Sequence, residues 1–266
     1  LVVLVMHILQ PASVHGQTEV SEDMQTYAAR AVEWLAGQQV PNAIEPDPYP
    51  TRRHLPIGYQ IPRGSDVFRY IGRRSYTYDA AIAAIAFSAS AEYGRAENIL
   101  LALGRLADES GRLWFAYNTN NAWPNEEDSG GAVVRTGTVA WAGYAATFYL
   151  RMTADRPVAP ADRRIRERIL DLARRTARYV TDRQITDPED PRHGLATGGH
   201  GSYELEVHDD GEVIEVYDPA KLSWTSTEHN IDAFFLLRDL YHLTGEGEYR
   251  EAAVSVAEGL ESLWST

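Results

Sequence analysis

Residues 136–153 read TGTVAWAGYAATFYLRMT, and this stretch decides the fold class. Small and aromatic side chains occupy nearly every position, so an α-helix formed here would be apolar on all faces, which is typical of a buried helix. Two other stretches have the same character: residues 75–93, SYTYDAAIAAIAFSASAEY, and residues 226–244, STEHNIDAFFLLRDLYHLT. We therefore predict three buried helices in an all-α protein.

A more amphipathic segment, with charge along one face, follows each of these stretches, at residues 95–108, 161–184 and 248–264. Each pair predicts an inner helix followed by an outer helix. The pairs recur with about 60 to 90 residues between equivalent points, a spacing typical of helical repeat proteins. A further amphipathic segment, residues 24–39, precedes the first pair and is predicted to be another outer helix.

Long irregular segments join the predicted hairpins. Residues 111–134 mix aromatic, amide, acidic and glycine residues, as exposed loops do. In residues 203–217 apolar and polar residues alternate around Asp210-Gly211, which predicts a small β-hairpin whose glutamates form a solvated face rather than a metal site. Because each of these loops leaves an outer helix and enters an inner one, they gather at one end of the array, where repeat proteins place their binding surface.

The composition restricts the possible partners. The chain has 266 residues, 44% of them hydrophobic, which suits one globular domain. The formal net charge of -13 at pH 7 disfavours binding to nucleic acid or to anionic membranes. The absence of cysteine excludes disulfides, thiolate catalysis and Cys-ligated zinc. No phosphate-binding loop, Rossmann fingerprint, serine-hydrolase elbow or His-Glu-x-x-His motif occurs, so we expect no cofactor and no metal.

The first sixteen residues are typical of the end of a secretory signal. Residues 1–8, LVVLVMHI, form an apolar run of signal-peptide length, and small residues follow before Gln17. The run is too short to span a bilayer as a helix, and a short buried helix is the alternative interpretation. We predict cleavage near Gly16 or Gln17, a mature domain of residues 17–266 without a membrane span, and a secreted or periplasmic location.

Three segments carry a resemblance to the six-hairpin glycosidase superfamily: YTYDAAIAAIAF at residues 76–87, RTGTVAWAGYAATFYLRMT at 135–153 and STEHNIDAFFLLRDLYHLTG at 226–245. The resemblance covers roughly residues 24–264. It implies an (α/α)-toroid, in which outer helices enclose a ring of inner helices, with a carbohydrate cleft at one end and catalytic carboxylates near the starts of inner helices. Glycoside hydrolases, polysaccharide lyases and sugar epimerases share this fold, so the fold does not choose among them.

The number of predicted helices departs from a complete ring. A six-hairpin ring contains six inner and six outer helices, whereas this sequence predicts seven helices in total. We therefore expect either a fragment of a longer protein or an incomplete toroid with a small β-hairpin insertion. An open arc would expose apolar surface of the inner helices, which favours pairing or aggregation. The sequence carries no signal for a particular oligomeric state.

Glycoside hydrolysis needs a protonated carboxyl at the leaving oxygen and a second carboxylate that acts as base or nucleophile. Asp79 and Glu228 are the predicted pair, because both fall in the first turns of inner helices at the loop-rich end. We expect Glu228 to be the general acid, with Asp232 one helical turn later, where it can orient or tune Glu228. The structural alternatives are a capping box starting at Thr225 for Glu228 and a helix-dipole interaction for Asp79.

Aromatic and polar side chains near the same helix starts are candidates for sugar binding, since sugar rings stack on aromatic faces and a few polar groups orient them. The predicted substrate-binding residues are Tyr78, Tyr117, Trp123, Arg135, Trp141, His200, Trp224, His229 and Asn230. The structural alternatives are turn chemistry for Tyr117, a salt bridge with Glu127 or Asp128 for Arg135, a flexible turn for His200 and a satisfied buried ring for His229.

The predicted function is that of a glycoside hydrolase acting on an extracellular or periplasmic polysaccharide. The enzymatic alternative is a polysaccharide lyase or uronate epimerase, in which a Tyr, His200 or His229 removes the proton next to a carboxylate that Arg135 and Asn230 neutralise. The non-enzymatic alternative is a sugar-binding or scaffold protein that uses the same cleft without turnover. In each case the expected partner is a polysaccharide or an oligosaccharide.

Overall fold

The computed structural model describes residues 22–39, 52–119, 131–156, 159–208 and 210–263. Two predictions fall outside these ranges: the signal segment at residues 1–16 and the candidate sugar-binding residue Trp123. Within them the protein is mostly helical, as predicted. None of the described helices has the length and apolar character that crossing a bilayer requires.

A β-strand comes directly before each of the three buried helices that the sequence predicts. In chain order the elements are α1 (Glu22–Gln38), α2 (Phe68–Ile71), β1 (Arg74–Tyr76), α3 (Thr77–Ala89), α4 (Tyr93–Leu106), β2 (Ala116–Asn118), β3 (Val134–Arg135), α5 (Thr136–Met152), α6 (Pro160–Thr181), β4 (Thr197–Val207), β5 (Val213–Thr225), α7 (Thr227–Thr244) and α8 (Gly247–Ser262). The residues that precede α3, α5 and α7 are in extended conformation, so each inner helix begins where a strand ends.

The inner and outer helices of the described residues are consecutive in the chain and pack in pairs. The inner helices are α3, α5 and α7, and the outer helices α4, α6 and α8 follow them in the chain. α5 packs between α3 and α7, and each outer helix packs on the inner helix before it. The described part of the chain therefore contains a two-layered array of three hairpins, whose core lies between the layers.

Close packing around α5 depends on Gly143. A Cβ atom added at this position would meet the Thr176 hydroxyl of α6 and lie 2.8 Å from a methyl group of Leu236 on α7. The missing side chain therefore lets three helices approach one another closely. At the end of α7, Gly245 adopts the left-handed conformation, with φ of 73°, and its N–H donates to Tyr241 O, which is a common way for a helix to stop.

The strands form two small sheets at the end of the array where the inner helices begin. β1 pairs with β2 in antiparallel fashion, with Ser75 opposite Tyr117. In the other sheet the order is β3-β4-β5, with antiparallel pairing throughout. Because β1 and β3 lead directly into α3 and α5, the sheets attach the loops to the first turns of the inner helices.

The strands β4 and β5 extend well beyond the predicted range of residues 203–217. β4 begins at Thr197 and β5 ends at Thr225, and β3 pairs with β4 as a third strand. The far end of the pair is peripheral, since Leu205 and Val207 are exposed there. The glycine-rich residues 198–201 suggested a turn, but Gly199 lies in β4 against the backbone of β3, with φ of 121°.

We expect Gly143→Ala to lower the free energy of unfolding by about 1–3 kcal/mol, because the added methyl group overpacks the contact among α5, α6 and α7. Gly104→Ala is the matched control inside α4, where the new Cβ would approach only Leu172, at 3.9 Å. Its better helix propensity should stabilise the protein by up to about 1 kcal/mol. Urea unfolding followed by circular dichroism compares the two, and equal stabilities would contradict the close packing at Gly143.

Candidate functional site

The first turn of α7 does not form the predicted capping box. Ser226 is the N-cap, and its hydroxyl oxygen accepts a hydrogen bond from the backbone N–H of His229, at 3.4 Å. Glu228 therefore stands one residue too early to reach back to the start of the helix. Its exposed carboxylate instead accepts a hydrogen bond from the hydroxyl of Tyr78 on α3, with an O–O distance of 3.4 Å.

Asp232 lies one turn after Glu228 and is the buried member of this pair, with 6% of its surface exposed. Its Oδ2 atom is buried and has no hydrogen-bond partner. Burial, assisted by the negative charge of Glu228, raises the pKa of Asp232 to about 8. At neutral pH Asp232 therefore keeps its proton, which is the property that we predicted for Glu228. The raised pKa therefore belongs to Asp232 rather than to Glu228, because Asp232 is the buried carboxyl of the two.

Aromatic side chains from three helices form a row that starts beside this carboxyl pair. Trp141 of α5 lies between two tyrosines, with ring centroids 5.3 Å from Tyr78 and 5.5 Å from Tyr144. Tyr144 in turn contacts Phe235 of α7, at 5.8 Å. These four half-buried rings form a continuous aromatic surface that begins at Glu228. Tyr144 was missed by the sequence analysis, although it lies one helical turn from Trp141.

His229 and Trp224 form the opposite side of the site. Their rings lie 5.5 Å apart, and burial lowers the pKa of His229, so its ring is neutral at pH 7. Trp224 is 42% exposed and rests on Gly198, where a Cβ atom would come within 2.6 Å of three ring atoms. Both residues were predicted to bind substrate, and the structure brings them to the same place as Glu228 and Asp232.

Asp79 contacts other residues than the Glu228–Asp232 pair does. Its carboxylate lies against Gly58, where a Cβ atom would be 2.6 Å from Oδ2, and its charge helps to raise the pKa of Tyr76. Burial raises the pKa of Asp79 itself, even though much of its side chain remains exposed. The charge that helps to raise the pKa of Asp232 is that of Glu228. The carboxyl groups that interact are therefore Glu228 and Asp232, rather than the predicted pair Asp79 and Glu228.

Two predicted substrate-binding residues instead hold the backbone together. Asn230 is fully buried; its Oδ1 accepts from Ala196 N–H at 2.7 Å, and its Nδ2 donates to Ala196 O at 3.1 Å. The Nη1 group of Arg135 donates to the carbonyls of Val134, His200 and Gly201. These roles were not predictable because the carbonyl and N–H groups come from segments distant in sequence.

Tyr117 and His200 are also placed away from the Glu228–Asp232 pair. Tyr117 is buried, stacks on Trp114, and accepts a hydrogen bond from the Trp114 backbone N–H at 2.9 Å. His200 lies between Tyr179 of α6 and Arg183 in the turn that follows this helix, and Arg183 donates to its Nε2 at 2.8 Å. Since arginine can only donate, His200 accepts at Nε2 and is neutral, in agreement with burial and Arg183 lowering its pKa to about 4.

A wide cleft in the described part of the chain lies elsewhere. It has a volume of about 630 Å³ and is lined by residues near the start of α4, including His54, Tyr93, Arg95 and Arg156. α4 begins where α3 ends, so this cleft is at the opposite end of the array from Asp232. It is wide and open, and Glu92 is its only carboxylate. We place the candidate site at Asp232, where acid and aromatic groups converge.

The chemistry of the site must be judged from its own residues. No three His, Asp or Glu side chains among the described residues are arranged to hold a metal ion. No protein-family model matches the chain, and no curated protein matches its sequence. What the geometry offers is a protonated carboxyl, a second carboxylate one turn away and an aromatic surface, which together suit proton transfer to an uncharged ligand.

We expect the stability of the protein to fall as pH rises, because of Asp232. The carboxyl has a pKa of 3.8 in the unfolded chain and about 8 in the folded protein. Between these values only the unfolded chain releases the proton, so unfolding becomes more favourable with increasing pH, by up to about 1.4 kcal/mol per pH unit. Asp232→Asn removes this effect, so the variant should gain stability relative to the wild type as pH rises.

Urea unfolding of the wild type and Asp232→Asn between about pH 5 and pH 8 measures this difference. Comparing the two proteins cancels the contributions of other groups, such as His229, that titrate in the same range. Asp23→Asn changes an exposed carboxylate of α1 and is the control, with no pH-dependent gain expected. A gain of Asp232→Asn that stays constant with pH would mean that Asp232 is ionised in the folded protein.

Proposed function

We propose that this protein is a glycoside hydrolase that acts on a polysaccharide, with Asp232 as the general acid and Glu228 as the second carboxylate. The observation that carries the proposal is the buried Asp232 carboxyl, protonated at neutral pH and with Oδ2 uncommitted, one helical turn from the exposed carboxylate of Glu228. Two carboxyl groups whose environments separate their roles as acid and base are what glycoside hydrolysis requires.

In the proposed reaction Asp232 donates its proton to the glycosidic oxygen as the bond between that oxygen and the anomeric carbon breaks. Glu228 acts at the anomeric carbon, either as a nucleophile or as the base that activates water. Water supplies the hydroxyl group of the new reducing end, and its remaining proton restores the acid. The Tyr78 hydroxyl, which donates to Glu228, would hold that carboxylate in position.

The surroundings of the carboxyl pair also support a sugar substrate. The aromatic surface of Tyr78, Trp141, Tyr144 and Phe235 offers faces on which sugar rings stack. It starts at Tyr78, at the end of the hairpin array where the inner helices begin and where an (α/α)-toroid has its cleft, and it reaches the middle of α5 and α7 at Tyr144 and Phe235. The closed ring, the exported location and the polymeric nature of the substrate are parts of this proposal, along with the hydrolase activity itself.

The lyase or epimerase alternative receives less support from the contacts. Removal of a proton next to a carboxylate needs a cation or amide that neutralises that carboxylate. Arg135 and Asn230 were the candidates, but both donate to backbone carbonyls. His200, a candidate base, is held between Tyr179 and Arg183. We therefore favour the hydrolase, and a sugar-binding protein without turnover is separated from it by assay.

We expect Asp232→Asn and Glu228→Gln each to lower the rate of glycan hydrolysis by about 10²–10⁴-fold, since each removes an acid–base group while preserving its shape. Asp79→Asn is the matched control at the start of α3 and should change the rate far less. The wild-type rate should fall as pH rises through the pKa of Asp232, about 8, because the general acid then loses its proton.

The assay measures release of reducing ends from a panel of neutral and acidic polysaccharides. Unsaturated products, detected by their ultraviolet absorbance, would establish a lyase and refute the hydrolase. Glycans that bind but remain uncleaved under all conditions would establish a sugar-binding protein instead.

A further inference from the structure

The far ends of β4 and β5 form a two-stranded ribbon. β3 pairs with β4 at Gly199 and His200, whereas from Ser202 onwards the described strands β4 and β5 pair only with each other, as far as Val207 opposite Val213. β5 is the last strand in the order β3-β4-β5. One long edge of the sheet is therefore formed by β5, and no other described strand covers it.

The backbone of β5 directs hydrogen-bonding groups towards this open edge. At the turn of the hairpin the N–H of His208 donates to the carbonyl of Glu212. In an antiparallel pair, residue pairs that bond each other alternate with pairs that do not. Counting along the chain from Glu212, Val213 and Glu215 belong to the second kind. Their N–H and C=O groups therefore point away from β4, towards the side where an added strand pairs.

One face of the ribbon is apolar and exposed. Residues directly opposite in a sheet project to the same face, as do residues two apart in a strand. Leu205, Val207 and Val213 therefore share a face, and they are 68%, 71% and 56% exposed. Nearer the helices the same face carries Tyr203 and Tyr217, which are half-buried and whose ring centroids lie 5.4 Å apart. The face is thus packed at one end and uncovered at the other.

The ribbon is also strongly acidic. Residues 204–215, ELEVHDDGEVIE, contain six carboxylate side chains and neither lysine nor arginine. Glu206 is exposed and lies on the face opposite to Val207. A second copy of the chain paired edge to edge would bring two such acidic segments together, and their like charges would repel each other. The charge therefore favours a cationic partner over a second copy.

The open part of the edge is short. Pro219 and Lys221 lie further along β5, and both residue types hinder the addition of a strand, because proline lacks the N–H and lysine keeps its charge in water. Strand addition is therefore confined to residues 213–217. An edge of this length suits a single peptide segment rather than another sheet.

We propose that residues 213–217 of β5 bind an extended segment of a partner protein as an additional antiparallel strand, and that this segment alternates apolar and basic residues. Strand addition at an open sheet edge is a general mode of peptide recognition, in which backbone hydrogen bonds supply affinity and alternate side chains supply specificity. Val213 lies at the opposite end of β5 from Trp224. The surface is therefore separate from the candidate site, and the inference does not rest on the proposed function.

The two faces of the ribbon fit the two kinds of side chain. In an antiparallel pair the residue opposite Val213 projects to the same face, so the apolar side chains of the segment cover Leu205, Val207 and Val213. The basic side chains then project to the other face, beside Glu206. Because Val213 and Glu215 pair through their outward N–H and C=O groups, the segment bonds to β5 through the N–H groups of its apolar residues.

Fluorescence anisotropy of labelled octapeptides with the wild-type protein tests the inference. A peptide of alternating valine and lysine should bind at least about tenfold more tightly than one of alternating serine and lysine, which has the same charge but less apolar surface. It should exceed a peptide of alternating valine and glutamate by a similar factor, because the acidic ribbon repels the latter. Equal affinities in either comparison, or no binding of the valine–lysine peptide, overturn the inference.

N-methylation of the peptide locates the backbone contact. Methyl groups on the valine nitrogens of the valine–lysine peptide remove the N–H groups that face β5, and they should weaken binding at least about tenfold. The matched control carries the same number of methyl groups on its lysine backbone nitrogens, which face away from β5, and should bind nearly as tightly as the parent peptide. An equal loss in both would show that the peptide is not added as a strand, contrary to the inference.

Variants of the protein test the apolar face. Leu205→Ser and Val207→Ser should each weaken binding of the valine–lysine peptide about fivefold or more. Val254→Ser on α8, at a position that is 45% exposed, is the control and should leave the affinity unchanged. Unchanged affinity in both ribbon variants contradicts the inference. Light scattering detects the rival occupant: a wild-type dimer that Val207→Ser dissociates would show that a second copy covers the ribbon, and the inference would be wrong.

Discussion

The geometry of the candidate site depends on the side chain of Asn230. Both atoms of its amide pair with the backbone of Ala196, as a neighbouring strand would, and Nδ2 also donates to Ser226 O at the start of α7. Ala196 immediately precedes β4, so one buried residue fixes the position of the strand relative to the helix. This attachment sets where Gly198 supports Trp224 and hence how Trp224 faces the first turn of α7.

Some buried polar atoms of this site, Asp232 Oδ2 among them, have no hydrogen-bond partner. Burying the carboxyl of Asp232 without a partner for Oδ2 costs free energy, and the neutral form limits that cost because an isolated buried charge would be far more expensive. Elsewhere the core consists of closely packed alanine, leucine and aromatic side chains. Departures from full hydrogen bonding are expected where a protein binds or transforms a ligand, and the carboxyl of Asp232 is such a departure.

The sequence predicted the helices well because their periodicity is a local property. The starts of the inner helices follow from the same patterns, and so does the gathering of Tyr78, Trp141, Glu228 and His229 at one end. The burial of a side chain and the backbone groups to which it hydrogen-bonds depend on residues that are distant in the sequence. The residues around Asn230 do not indicate that its side chain pairs with the backbone of Ala196. The residues around Arg135 likewise do not indicate that it donates to the carbonyl of His200. Which of the two carboxyl groups, Glu228 or Asp232, is buried and has the raised pKa depends on which side of α7 packs on the other helices. The sequence of α7 alone does not specify that side.

Four features of the candidate site come from the nine consecutive residues 224–232. They are the exposed Trp224, the helix cap Ser226, the exposed carboxylate of Glu228 and the buried carboxyl of Asp232. This compactness arises because extended backbone passes directly into helix at Ser226. The segment alone would not have the same chemistry, since an isolated α7 would leave Asp232 in water with an ordinary pKa. Burial by the neighbouring helices raises that pKa, with Gly137 of α5 leaving the room that the side chain needs. The proton on Asp232 is therefore a property of the assembled hairpins rather than of the segment that carries the residue.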